Sequence, residues 1–286
     1  IAPDSHCYQP YECPFWDHCT KDKPRRWVFH LPGNSKLQTL LMEEGIETID
    51  EIPDHIQLSS IQQRVKDNVE WISPLLRPRL ESVRFPVHHL DFETLMPAIP
   101  AFAHTRPYRP IPFQWSNHIE YPDGTIVHHH YLCTDGRDPR EEVAISLLES
   151  VGEMGTICVY SEYERFLLFA LGDVLPHLKP ALSKVVRRLW DLLSVIQQHY
   201  YHPDFHGSYS IKTVLPALVP TLAYDDLAIQ NGAVAAVMYQ KMVFQETDLM
   251  ERAHIAQALH EYCGRDTWAM VELRRVLMNR LGSSLP

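Results

Sequence analysis

The strongest constraint on the fold of this chain is a turn: Tyr121-Pro122-Asp123-Gly124 separates two β-rich runs, residues 111–120 and 125–133. Proline fixes one φ and Asp-Gly suits a tight reversal, so the two runs are expected to pair as an antiparallel hairpin. A third β-rich run, 87–94, precedes them. After the hairpin, Asp138-Pro139-Arg140 opens a helix that continues through Leu147 and Leu148, with proline near its first position. Residues 156–160 form a short apolar run without charge, as a buried strand does. Beyond it, helical periodicity covers 162–172, 177–200, 210–218, 232–244 and 248–281. Three strands, a helix, a strand and then helices specify an α/β fold, a mixed sheet flanked by helices.

The texture before residue 84 differs. Residues 1–30 hold Cys7, Cys13 and Cys19, several prolines and a basic run at 21–26, and read as an irregular cysteine-bearing segment. Residues 31–83 read as a small helical module: Leu37, Leu40 and Leu41 share a face, Gly45 can end that helix, and a second helix is expected over 59–72. Residues 36–53 resemble half of a helix-hairpin-helix, although a plain helical spacer is the favoured reading. The expected division is therefore 1–30, 31–83 and 84–286.

The chain has 286 residues, 45% hydrophobic and 22% charged, ordinary for a globular protein. Its net charge of −10 argues against electrostatic coating of duplex DNA, but not against a nuclease, whose metal-binding carboxylates are themselves acidic. No apolar run approaches the ~20 residues that span a bilayer, and no signal-peptide pattern opens the chain. A cytoplasmic location is expected, with no membrane partner. Because the first residue is Ile1, the chain is read as a piece of a longer polypeptide.

The candidate chemistry centres on His88-His89-Leu90-Asp91-Phe92-Glu93-Thr94. In a strand, Asp91 and Glu93 point to one face while Leu90 and Phe92 point to the other. Two such carboxylates repel unless a cation lies between them; a solvent-facing acidic edge is the alternative. A second element, Tyr262-Cys263-Gly264-Arg265-Asp266, lies in a helical stretch where Tyr262 and Asp266 are four apart and share a face. Asp266 there is either a capped or paired carboxylate or a ligand.

Asp-x-Glu on an early strand with Tyr-x-x-x-Asp on a late helix resembles the DEDD exonuclease superfamily, in the tyrosine version found in ribonuclease D and in polymerase proofreading domains. The resemblance covers residues 84–286. More closely, Asp91-Phe92-Glu93-Thr94, Pro112-Phe113-Gln114-Trp115-Ser116, Gly207-Ser208-Tyr209-Ser210-Ile211-Lys212 and residues 262–267 resemble an uncharacterised bacterial family joining a cysteine-bearing nuclease-like half to such a domain. This implies a further nuclease-like region upstream. It also implies a ribonuclease H-like fold and a 3′→5′ exonuclease acting on single-stranded DNA or RNA with two Mg²⁺ or Mn²⁺ ions. Asp91 would bridge the ions, Glu93 and Asp266 would hold the one that activates water, and Tyr262 would orient that water.

The middle motif departs from the superfamily: Tyr160-Ser161-Glu162-Tyr163-Glu164 stands where Asn-x-x-Phe/Tyr-Asp is usual, so Glu164 replaces a shorter acid. Asp191 is its rival, ranked second as a supporting carboxylate. For substrate, Gln114 is placed with Ser208, Ser210 and Lys212, since hydroxyls and a lysine at a helix start suit a phosphate. Ser208 or Ser210 serves equally well as a helix N-cap, and both roles can hold together. His128-His129-His130 is read as a polar strand, because consecutive strand residues alternate faces and cannot form one chelate.

Cys133, Cys158 and Cys263 sit among apolar residues and read as core fillers. Cys7, Cys13 and Cys19 recur every six residues and resemble the tail of iron–sulfur nucleases of the recombination and CRISPR-associated type. An iron–sulfur cluster, or Zn²⁺ completed by His6 or His18, is the expectation, with plain thiols as the alternative. Two readings compete with the exonuclease: a catalytically weakened nucleic-acid-binding module of a larger nuclease, and a phosphohydrolase of small nucleotides.

Overall fold

The helices before the sheet are short and end where their sequences require. In the computed structural model, which describes Cys7, Cys13, residues 15–33 and residues 35–282, α1 is Trp16–Thr20 and α2 is Ser35–Glu43. Gly45 follows α2 at φ +79°, the left-handed conformation that glycine tolerates. Helix α3 (Ser60–Asp67) starts with a capping box in which Ser59 and Gln62 satisfy each other's backbone N–H. It stops at Asn68 in the left-handed region, short of the expected 72. Trp71–Ile72 instead forms β1, and α4 is Leu76–Glu81.

Alternation then builds the main sheet. Its strands are β2 (Val87–Leu95), β3 (Ile111–Glu120), β4 (Ile126–Leu132), β5 (Thr156–Val159) and β6 (Leu189–Asp191), in the order β4-β3-β2-β5-β6. The first three pair antiparallel, with the Tyr121–Gly124 turn joining β3 to β4. Strands β5 and β6 add on parallel to β2, across connections carrying α5 (Arg140–Val151), α6 (Tyr163–Val174) and α7 (Lys179–Val186). The expected α/β fold, a mixed sheet flanked by helices, is thus present.

The helix expected over 177–200 is broken. Helix α7 ends at Val186, β6 follows, and α8 (Leu192–His199) leads to β7 (Tyr200–Tyr201), which pairs with β1. Parallel pairing of Leu189–Asp191 with β5 overrides the local helical pattern. Asp191 then accepts the Ser194 backbone N–H at 3.3 Å and caps α8. The remaining helices are α9 (Ile211–Leu218), α10 (Gly232–Phe244) and α11 (Leu249–Gly282).

The two sheet faces bury different cores. Leu90, Phe92, Ile157 and Val159 pack with α5, α6 and α7. Val87, Leu95 and Phe113 belong to a larger cluster with residues of α9, α10 and α11. That cluster also contains Trp27, Val28, Leu31, Leu41, Ile49 and Val65, so the upstream helical segment shares its core with the sheet domain. Among the described residues, no helix is long and apolar enough to cross a membrane.

Candidate active site

Asp91 and Glu93 lie on the β2 face that α10 and α11 cover, as the alternation requires. A register shift falls at Glu93/Thr94, a bulge of the kind that re-aims side chains beside active sites. Tyr262 and Asp266 come from one flank of α11, one helical turn apart. Glu164 sits in the first turn of α6, where the helix N-terminus favours negative charge, and accepts a hydrogen bond from Ser161 Oγ at 3.1 Å. These five residues and Lys212 line one cavity of about 660 Å³. Glu93, Glu164 and Asp266 are 5%, 4% and 8% exposed, and Asp91 opens partly to the cavity.

Not every expected residue joins them. Asp191, the cap of α8, lies outside the lining, though its charge is felt by Glu164. Gln114 is fully buried and donates to the Leu259 carbonyl at 2.9 Å, so it anchors α11 to β3 rather than facing the cavity. Ser208 Oγ accepts the Ser210 N–H at 3.3 Å in the turn before α9. Ser210 occupies the N-cap position without a side-chain cap bond, and neither serine lines the cavity. Of the expected phosphate-binding group, Lys212 alone is in place.

Cys7 is buried, Cys13 half-buried and Cys19 exposed, and all are free thiols. Among the described residues no convergent set of three ligand atoms includes any of them, and His6 lies outside those residues.

Two residues near the carboxylates were not anticipated. The Tyr224 hydroxyl donates to Asp266 Oδ1 at 2.6 Å. Its sequence position, in a loop 42 residues away, gives no signal of that contact. Cys263 Sγ lies 3.9 Å from Asp91 Oδ2, and the ligand atoms of Asp91, Glu93 and Cys263 fall within 4.8 Å of one another. Its place beside Tyr262 in a helix facing β2 was a legible hint.

Burial and mutual repulsion dominate the electrostatics. Burial raises Asp91 well above the usual carboxylate range, and the charges of Asp266, Glu93 and Glu164 push it further. Glu93 is raised by burial and by Asp266, against the pull of Lys212. Burial takes Glu164 to about 7 and Asp266 to about 6, the latter restrained by Tyr224, Lys212 and Tyr262. Burial and the neighbouring acids also raise the Tyr224, Tyr262 and Cys263 protons, so both phenols are neutral donors and the thiol is protonated. Four carboxylates facing one lysine cannot all ionise cheaply in such a site. Hard oxygen donors gathered this way fit one or two divalent cations of the Mg²⁺ or Mn²⁺ type.

Residues 88–210 of the chain match a family described as "domain of unknown function (DUF2779)". That stretch carries Asp91, Glu93 and Glu164 and stops before the helix bearing Tyr262 and Asp266. No curated protein and no solved structure matches the chain.

Proposed function

We propose that this chain is a metal-dependent 3′→5′ exonuclease of single-stranded DNA or RNA, on a ribonuclease H-like fold. The observation that carries the reading is the convergence of Asp91, Glu93, Glu164, Asp266 and Tyr262 from three elements on one cavity. Bound divalent cations would neutralise charge building on the attacking and leaving oxygens of a phosphodiester. Asp91, Glu93, Glu164 and Asp266 are the residues that would hold them. Tyr262, a neutral phenol at working pH, positions a water or phosphate oxygen by hydrogen bonding and does not act as a base. Lys212, whose Nζ lies 5.3 Å from the Tyr262 ring centre, supplies a fixed positive charge for a phosphate beside the carboxylates. Tyr224 holds one Asp266 oxygen, which fixes the direction in which the other points.

Incubation with 5′-labelled single strands and Mn²⁺ tests the proposal. Products shortened stepwise from the 3′ end are expected, and Asp91→Asn should abolish them. Binding without cleavage would instead favour a nucleic-acid-binding module. That alternative draws on Lys212, whose charge already offsets part of the carboxylate repulsion without metal.

A further inference from the structure

A second concentration of ligand-type side chains lies on the other flank of α11. Four histidines arrive there from three elements. His118 is on β3, and its register partner His128 and His130, two residues further along, are on β4. His260 is on α11. All four line a second cavity of about 720 Å³, which the carboxylates of Asp91, Glu93, Glu164 and Asp266 do not touch. His129, between two of them, points away toward α5, with Nδ1 3.3 Å from Ser150 Oγ.

The rings stand close. His118 and His128 are parallel with centres 4.0 Å apart, His128 and His130 are 5.2 Å apart, and His130 and His260 are 4.2 Å apart. Two are held by a hydroxyl relay: Ser116 Oγ lies 2.8 Å from His128 Nε2 and 2.8 Å from Thr267 Oγ1, which is 2.7 Å from His118 Nδ1. Each of these rings therefore keeps its second nitrogen for another partner, as the imidazoles of metal sites do. His260 Nδ1 is buried and makes no hydrogen bond.

We propose that His128, His130 and His260, with His118 stacked on His128, form a binding site for a late first-row divalent ion, Zn²⁺ above all, separate from the carboxylate centre. Imidazole nitrogen suits Zn²⁺, Ni²⁺ and Cu²⁺, whereas Mg²⁺ and Mn²⁺ favour oxygen. Ligation needs neutral rings, and partial desolvation and the neighbouring histidines lower His128, as they do His260. Arg265, the cation in the lining of this cavity, pairs with Asp226, with Nη2 2.9 Å from Oδ2. No three of the histidine nitrogens lie within 4.8 Å of one another, so an ion held there would require His130, exposed, and His260, half-buried, to turn their rings toward His128. An ion held there ties the edge strand β4 to the helix that presents Tyr262 and Asp266. The inference does not depend on the exonuclease reading.

The test is thermal unfolding of the 286-residue chain with Zn²⁺, in excess Mg²⁺ so that the carboxylates are occupied. Wild type, a His130→Ala/His260→Ala double variant and a His129→Ala control are compared, with circular dichroism to confirm folding. Zn²⁺ is expected to raise the Tm of wild type and of the control by about 3 °C or more. A smaller shift in the double variant than in both of these supports the site. An equal shift in the double variant, or none in wild type, overturns it. Cu²⁺ provides a direct readout: its electron paramagnetic resonance spectrum should show coupling to several imidazole nitrogens in wild type and to fewer in the double variant.

Discussion

Asp91 is raised by burial and by the charges of all three other carboxylates. Asp91→Asn removes one negative charge and one oxygen ligand with almost no change of shape. Mn²⁺-dependent cleavage by this variant is expected to fall on the order of 10³-fold or more, since metal affinity and transition-state stabilisation go together. Its metal-free form should unfold at a higher temperature than wild type, because a repulsion has been relieved. Cleavage at the wild-type rate would remove Asp91 from the proposed chemistry. The two tyrosines on Asp266 should separate cleanly. Tyr224→Phe takes a hydrogen bond from a ligand's other oxygen and should weaken Mn²⁺ binding roughly 10-fold or more, read by titrating free Mn²⁺. Tyr262→Phe should leave that affinity unchanged and slow cleavage on the order of 10²-fold through lost positioning. If both variants lost affinity alike, Tyr262 would be a support for Asp266 and not a positioning residue.

At the scale of elements, the turn at Gly207 ties the site to the upstream segment. Gly207 has φ +86°, and a Cβ there would strike the His30 carbonyl, so only glycine lets the turn before α9 approach so closely. Gly124 in the hairpin has a similar φ of +85° but open space around it. Gly207→Ala is expected to cost about 1–3 kcal/mol more than Gly124→Ala in urea unfolding; equal costs would show that the approach to His30 is slack. The same contrast shows what a sequence discloses. The strands 87–94 and 111–120 were legible because side-chain alternation and a Pro-Asp-Gly turn are local signals, and so were the spacings that pair Asp91 with Glu93 and Tyr262 with Asp266. Strand β6 was not: three residues inside a helical pattern become a strand only because β5 offers them a partner. Tyr224, the histidine cluster and the burial of Gln114 were invisible for the same reason, since each depends on where α11 lands on the sheet. Lys212 could be read from its neighbourhood, whereas Ser208 and Ser210 face the turn they form.

Over the whole molecule, two buried populations of titratable groups give opposite pH dependences, and their windows separate them. His88 is lowered to about 4, and His89 and His118 to about 3, chiefly by burial. Being depressed, they cost stability as pH falls below the value near 6.5 of an unfolded histidine, and contribute no slope above it. The carboxylates run the other way. A carboxyl raised on folding gives stability that is complete below its unfolded value near 4 and is lost as pH rises through the folded value. For Asp266 and Glu164 those folded values are about 6 and about 7, and Asp91 and Glu93 are also raised well above the usual range. Above about pH 6.5, therefore, these histidines add no slope and the loss belongs to the raised carboxyls, the four of the cavity together with Asp191. Chelator-treated protein is expected to lose Tm as pH rises from about 6.5 through 7, the folded value of Glu164, and the Tm advantage of Asp91→Asn over wild type should widen across that range. Saturating Mn²⁺ should abolish the decline in wild type, because a cation that binds only the ionised cluster gains affinity over the interval in which the metal-free protein weakens. A metal-free Tm that holds level or climbs over that range, or a decline that Mn²⁺ leaves untouched, would mean that the four carboxylates are compensated within the protein and are not waiting for a divalent ion.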